Sequence, residues 1–559
     1  MRGLAALVGL LMAAGAGAKE PDLGLARVFE SPPLSGQTPR ALTLSPDGRH
    51  IAYLKPRADD ALRSDLWVEE VTTGAARMAV DSLALSGGEA TLSEAELQRR
   101  ERARLMGARG IVEYRWSPDG TRLLVPLDGD LWLAPLDGTP RRLTETPDSE
   151  VDAKLSPDGR FVSYARGQNL FLMDLAAGSE RPVTTEGGGT VTCGQAEFVA
   201  QEEMKRMTGQ WWSPDSARLA VACFDEKDVA IAVRAAIGSD GTRVTEQRYP
   251  FAGTPNVAIR LEIRAVAGGA PVPVDLGQDP DIYLARVDWL SPDRLIVQRQ
   301  SRDQKRLDVL EVDAATGAAR LLFRETAKTW LNLHDNLKPL ADGRRFLWTS
   351  ERSGFQQAWL WDGAGLRPVT RGRFHLDAIV AVDEAAGLLF FTGFADTPLE
   401  RALYRARLDG RGTPERLSEP GGWADAVMDK GGTVALVTRS TPDQPPQVAL
   451  VDRNGQRIRW VQENRLADTP YGPFAATHVS PRFGTLAAAD GQEMHWMMLV
   501  PADLKPGERR PVFFEVYGGP GVQRVRRAWG SLLHQHLVRR GWVVFALDNR
   551  GSSNRGVAF

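Results

Sequence analysis

The chain has 559 residues, of which 43% are hydrophobic and 25% charged, and a formal net charge of −2. This is ordinary globular composition, long enough for roughly 3 to 4 average domains, and the near-neutral charge offers no basic surface for nucleic acid or anionic lipid. With 15 Trp, 55 Gly and 35 Pro, it favours a turn-rich β protein over a helical one.

The first 18 residues read as a secretion signal. Arg2 supplies the positive end, Leu4 to Ala14 a short apolar core, and Ala16-Gly17-Ala18 the small residues of a cleavage site before Lys19. The core is too short to span a bilayer as a mature helix, and no later segment has about 18 uncharged apolar residues. The expected compartment is the periplasm or the exterior, with no membrane contact after cleavage. Residues 19–39 form an N-terminal segment expected to pack on the last domain. An oxidising compartment permits one disulfide between Cys193 and Cys223. The sequence does not show whether their Cα atoms come within range, and two cysteines alone do not make a zinc site.

From residue 40 onward the tripeptide Ser-Pro-Asp recurs, at Ser45, Ser117, Ser156, Ser213 and Ser291. Each copy precedes a short alternating apolar run, as in Phe161-Val162-Ser163-Tyr164. Proline presets the turn and a half-buried strand follows. Degenerate copies continue near Asp342-Gly343, Ala386-Gly387 and Gly431-Gly432. Several spacings fall between about 39 and 57 residues, the range of four-stranded propeller blades. The expected fold is an eight-bladed, all-β propeller over 40–475, because even turn-then-strand units favour radial repetition over a sandwich array. Larger gaps after Ser45 and after Ser213 imply insertions. Residues 92–109 read as a helix capped by Ser93, with Glu94 and Glu96 in its first turn and Arg99, Arg100, Arg102 and Arg104 behind them. A second helical stretch is expected over 195–208.

After about Ser480 the pattern changes. Thr485 to Leu499 reads as a hairpin around Asp490-Gly491. Pro511 to Tyr517 is a near-continuous apolar run ending in Gly518-Gly519-Pro520-Gly521, Trp529 to Arg540 reads as a helix, and Trp542 to Leu547 as a second apolar strand. Strand, glycine loop, helix, strand is an α/β unit. Residues 476–559 are therefore expected to form the N-terminal part of an α/β-hydrolase domain.

Several strings carry a resemblance. Glu197-Phe198-Val199-Ala200-Gln201-Glu202-Glu203-Met204, running into Thr208-Gly209-Gln210-Trp211-Trp212-Ser213-Pro214, resembles the glutamate motif of the dipeptidyl peptidase IV family. Arg248-Tyr249-Pro250, Gly253-Thr254-Pro255-Asn256, Tyr517-Gly518-Gly519-Pro520-Gly521 and Asp548-Asn549-Arg550-Gly551-Ser552 fit the same family. The resemblance implies a serine peptidase that releases N-terminal X-Pro, less often X-Ala, dipeptides from peptides with a free N-terminus. It implies no metal or organic cofactor, and often a homodimer. Glu202 and Glu203 take the family's double-glutamate positions. Two carboxylates in a cleft bind an α-ammonium through charge-assisted hydrogen bonds, and they fix the scissile bond two residues away. Adjacent glutamates on a helix are otherwise ordinary solvated surface. The family's carbonyl-binding arginine is matched to Arg104, with Arg100 as the alternative. Tyr517 takes the position of the oxyanion donor.

An activated serine in this fold sits on a Gly-x-Ser-x-Gly elbow, followed by the acid and the histidine. No such elbow occurs here, and none of the seven histidines lies beyond His536. The chain is therefore expected to stop short of its catalytic serine, acid and base, and to be inactive alone. Oligopeptidases and acylaminoacyl peptidases of the same clan lack the paired-glutamate helix. A non-catalytic propeller that binds protein or polysaccharide would explain the repeats, but not Tyr517 and the start of a hydrolase sheet.

Overall fold

The computed structural model describes residues 22–86, 92–239 and 241–559; the secretion signal expected over 1–18 lies outside them. Among the described residues, eight antiparallel sheets follow one another at 40–80, 115–142, 150–182, 191–273, 282–326, 338–368, 376–416 and 423–462. Each is a four-stranded meander; the first and fourth carry one extra short strand. Apolar clusters join each sheet to the next. Leu66 and Val68 of the first pack on Leu123 and Val125 of the second, and the series runs on through every neighbouring pair. The last cluster joins Leu436, Val448 and Leu450 of the eighth sheet to Leu44, Ile51 and Tyr53 of the first. The ring is an eight-bladed propeller closed by side-chain packing. Among the described residues no strand is exchanged between the first and last blades.

The Ser-Pro-Asp turns join strands one and two of their blades. In the first four copies the serine is fully buried. Its hydroxyl donates to the aspartate two residues on at 2.5–2.6 Å and accepts the backbone N–H five residues on at 2.9 Å. The fourth residue of each turn is left-handed: Gly48, Gly120 and Gly159 at φ 70–71°, and Ser216 at 61°. The fifth copy departs from this pattern. Arg294 occupies that fourth position, and Ser291 and Arg294 instead pair across a two-residue hairpin. At this end of the ring a chamber of about 660 Å³ is lined by Tyr114, Trp116, Lys154, Trp212, Asp288 and Trp289, among others.

Three insertions leave the other end or the inner wall of the ring. The expected helix over 92–109 is shorter, Glu94–Arg102, and ends in a Schellman turn. Leu105 N–H bonds to Arg100 O at 2.7 Å and Arg104 N–H to Glu101 O at 3.0 Å, with Arg104 left-handed at φ 61°. Ser93 caps its start, accepting from Glu96 N–H. The expected helix over 195–208 is also shorter, Phe198–Glu202. Its flanks are pinched instead, because Gln195 bridges Thr208 and a Cβ on Gly209 would lie 2.2 Å from Gln195 O. The third insertion is a hairpin, Ile231–Gly238 paired with Gly241–Arg248, between strands two and three of the fourth blade.

Residues 482–547 form a second kind of sheet, in the order Arg482–Ala487, Glu493–Leu499, Val543–Leu547, Val512–Glu515. The last two strands are parallel, linked through the helix Leu532–Arg539. That helix starts at Ser531, whose hydroxyl accepts from Leu533 N–H. The expected start at Trp529 is not used, because Trp529 stacks on His478 and donates to Ser35. Leu23 and Leu34 pack with Tyr471, Phe474 and Leu532, and Leu23 O accepts from His536 Nδ1 at 2.7 Å. The propeller meets this sheet through loops joining strands two and three of its last blades. Leu399 enters the sheet's own core with Met497 and Val525, Glu400 pairs with Arg527 at 3.1 Å, and Gly354 O accepts from Val557 N–H.

Candidate functional site

The glutamates ride on a finger that interrupts the inner strand of the fourth blade between Cys193 and Gln210. A helix of five residues has no independent stability in water, so tertiary contacts hold it. Ala196, Ala200 and Met204 sink into the cluster between the fifth and sixth blades. Below them Glu197 and Arg206 form an ion pair at 2.6 Å with both side chains 2% exposed. Arg206 also donates from Nε to Leu284 O and from Nη1 to Thr208 O, so each of its three nitrogens is hydrogen-bonded, as a buried charge requires. At the base Cys193 and Cys223, directly opposed across two strands, form a disulfide with Cα atoms 4.0 Å apart. Glu186 lies beside the two sulfurs, but sulfurs joined to each other are not thiolate ligands, so the group does not fit a metal.

The outward face of the finger meets the end of the arginine helix. Arg104 Nη2 donates to Glu202 Oε1 at 2.7 Å, with Arg104 74% and Glu202 25% exposed. Arg102 lies alongside, donating to Gln201 Oε1 at 2.8 Å and stacking 4.9 Å over the Phe198 ring. Its guanidinium donates to two amide oxygens, those of Gln201 and Gln98. Burial pulls the proton affinity of Arg102 below the usual arginine value, and the nearby Glu202 is the leading opposing influence. Glu203 caps the C-terminal end of the glutamate helix and is exposed; among the described residues its carboxylate has no hydrogen-bond or ion-pair partner. Arg100, the alternative to Arg104, points inward. It is 5% exposed and committed to Glu96 and Ala108 O, so it does not reach the finger. Arg102 is the residue that sequence reasoning passed over, and only its alternation with the inward Arg100 would have singled it out. Behind it Glu226 is held above the usual carboxylate range by burial, against the pull of Arg248 and Arg102. Arg234 of the hairpin pairs with Glu101 at 3.0 Å and ties hairpin to arginine helix.

Tyr517 lies just past the strand Val512–Glu515, 53% exposed, with the Arg524 guanidinium 5.6 Å from its ring centroid. A Cβ on Gly519 would come 2.8 Å from the tyrosine ring, and Gly518 is left-handed at φ 76°. The glycines therefore let the chain turn under the phenol. Asp548, buried and pushed up by burial, accepts from Arg524 N–H at 2.7 Å and Val525 N–H at 3.1 Å, fixing the loop behind Tyr517. The structure brings Glu202, Arg102 and Arg104 together. Tyr517 stands apart on the other domain, its ring facing Arg524, and among the described residues it makes no hydrogen bond to them.

An eight-bladed propeller with a carboxylate finger, joined to a sheet of α/β-hydrolase type, defines a two-domain hydrolase architecture. Residues 117–446 match the sequence profile of the dipeptidyl peptidase IV (DPP IV) N-terminal region. The chain belongs to the dipeptidyl peptidase IV family. It is 26% identical over 444 residues to a probable dipeptidyl peptidase 4 of Aspergillus fumigatus, covering 74% of this chain and 57% of that protein. It is 25% identical to dipeptidyl peptidase 8 of Mus musculus, covering 92% of this chain and 70% of that one. The crystal structure of Porphyromonas gingivalis dipeptidyl peptidase 4 superposes with a TM-score of 0.77 at 24% identity, covering 93% of this chain and 72% of that one. The chain thus spans little more than half the length of the fungal relative.

Proposed function

We propose that this chain is the recognition part of a secreted or periplasmic serine dipeptidyl peptidase that releases X-Pro, and less readily X-Ala, dipeptides. The observation that carries the reading is the meeting of Glu202 with Arg104 and Arg102, beside the unpartnered Glu203. A substrate's α-ammonium is taken by Glu202 and Glu203 through charge-assisted hydrogen bonds, each worth roughly 1.5–3 kcal/mol. Arg104 donates to a carbonyl oxygen of the bound dipeptide, and Arg102 stands next to it. Tyr517 donates its hydroxyl to the oxyanion of the tetrahedral intermediate, a contribution of roughly 3–4 kcal/mol for such donors. The nucleophile and its base belong to a Gly-x-Ser-x-Gly elbow and its partners, which these residues do not contain, so turnover is read in a chain that carries them. The disulfide supports an oxidising compartment. Exposed Ile231, Val233, Ile237 and Val244 on the hairpin support association of two copies.

The test uses the chain extended through its elbow and a chromogenic Gly-Pro substrate. Glu203→Gln is expected to reduce dipeptide release by roughly ten- to a hundredfold, the equivalent of one charge-assisted hydrogen bond, since the amide keeps the shape and removes the charge. Unchanged release would overturn the ammonium assignment.

A further inference from the structure

The chamber at the Ser-Pro-Asp end of the ring, about 660 Å³, has the volume of a small-molecule site, and its lining includes neither Glu202, Glu203 nor Tyr517. Trp116, Trp211, Trp212 and Trp289 line it, four of the chain's 15 Trp. Three of these indoles have their N–H groups engaged inside the wall. Trp116 donates to Thr43 Oγ1 at 3.0 Å, Trp212 to Ser163 Oγ at 2.8 Å and Trp289 to Trp211 O at 3.0 Å. What they offer the chamber is therefore apolar ring, fixed in place.

Two charges of opposite sign stand among the rings. Asp288, on the fifth blade, has no hydrogen bond or ion pair among the described residues, and burial holds its carboxyl above the usual range. A carboxylate left without a partner in a pocket is placed to receive a ligand's cation. Arg115, on the second blade, is 50% exposed and lies 3.9 Å from Asp152; among the described residues its guanidinium makes no hydrogen bond. Asp152 is committed elsewhere: Thr208 Oγ1 donates to it at 2.5 Å, and Lys154 Nζ lies 3.5 Å away. Lys154 in turn is held by Gln210 O at 2.5 Å and by Thr208. Asp152 is left-handed at φ 52°, where the register of its strand shifts, a bulge of the kind that re-aims side chains. Arg115 therefore keeps its donors for an incoming anion.

We propose that this chamber binds a free dipeptide with an aromatic side chain: Asp288 accepts from its ammonium, Arg115 donates to its carboxylate, and the indoles pack its ring. A bare cation would meet Arg115 and Lys154, and a bare anion would meet Asp288, whereas a zwitterion answers both. The two charges stand on separate walls, three blades apart. An extended dipeptide holds its ends about 7 Å apart, while a free amino acid carries both on one carbon. Binding needs no nucleophile, so it is measured on this chain as it stands and is independent of the peptidase reading. Gly-Phe, its C-terminal amide and its N-acetyl form are titrated by calorimetry. Gly-Phe is expected to bind saturably, and each blocked form roughly ten- to a hundredfold more weakly, the loss of one charge-assisted hydrogen bond. Asp288→Asn and Arg115→Gln should each weaken Gly-Phe by a similar factor. Acetylation should then cost Asp288→Asn little more, and amidation should cost Arg115→Gln little more, a pairing of ends that a misfolded chamber cannot show. No saturable binding of Gly-Phe, or binding indifferent to both end groups, overturns the proposal. So does loss of the binding heat in Glu203→Gln, which would seat the peptide on the finger instead.

Discussion

Asp288→Asn is expected to stabilise the chain at neutral pH and to do little near pH 4. Asp288 lies on the inner strand of the fifth blade and faces the Ser-Pro-Asp-end chamber. Burial pushes its carboxyl from an ordinary 3.8 up to about 6, against the opposing pull of Lys338 and Arg286. Neither cation neutralises it. Arg286 is committed to Asp335 at 2.5 Å and to two backbone carbonyls, and among the described residues no hydrogen bond or ion pair reaches Asp288. Because the folded-state value is raised, the folded chain binds more protons than the unfolded chain between about 4 and 6. Stability therefore falls as pH rises through that window, and the penalty is complete above it. At about 1.4 kcal/mol per tenfold change in proton affinity, the ionised carboxylate costs the fold about 3 kcal/mol at pH 7.5. Asparagine keeps the shape and removes the charge. Urea denaturation of parent and variant at pH 7.5 and pH 4.5 reads the effect. The variant's midpoint should exceed the parent's at the higher pH, and the gap should shrink at the lower. A variant less stable at pH 7.5 would show that Lys338 or Arg286 pairs productively with Asp288, and would refute the reasoning.

Two further predictions concern the finger. Replacing both Cys193 and Cys223 with serine opens a loop spanning a sequence separation of 30 and should lower stability by about 3–4 kcal/mol, read as a drop in thermal midpoint that a reductant reproduces in the parent. Glu197→Leu leaves Arg206 buried without its partner and should cost about 3–5 kcal/mol in a urea melt, whereas Glu197→Leu with Arg206→Met should recover most of that loss; equal losses in single and double variants would argue that the pair contributes only through shape.

The propeller was legible because its signals are local. A serine hydroxyl reaching an aspartate two residues away needs nothing from the rest of the chain, so each Ser-Pro-Asp announces a turn wherever it falls. The fifth copy shows the limit of that signal: with Arg294 at the left-handed position the same tripeptide makes a different hairpin. What was not legible depends on distant partners. The disulfide follows from the strand register that sets Cys193 opposite Cys223. The ends of the two inserted helices were overrun for the same kind of reason. Their composition continues to favour helix, but one chain turns back at Arg104 and the other is pulled in by Arg206 toward Glu197 and Leu284. Glu202 and Glu203 stood out as a string, whereas the choice among Arg100, Arg102 and Arg104 required knowing which face of the arginine helix is buried.

Arg104 shows why composition misleads at such a place. The position that closes a Schellman turn is left-handed, and glycine adopts it about 1 kcal/mol more easily than residues with a Cβ. Arginine there gives away that ease, and its ion pair with Glu202, at 74% exposure, returns little stability on its own. Lys205, just past the glutamate helix, is left-handed as well, at φ 55°. Both departures from easy backbone fall beside the same cluster of carboxylates and guanidinium groups. A turn built for stability alone would place glycine at 104 and carry no cation to Glu202. The strain is therefore better understood as what it takes to hold a charge at the end of one short helix over the carboxylate of another.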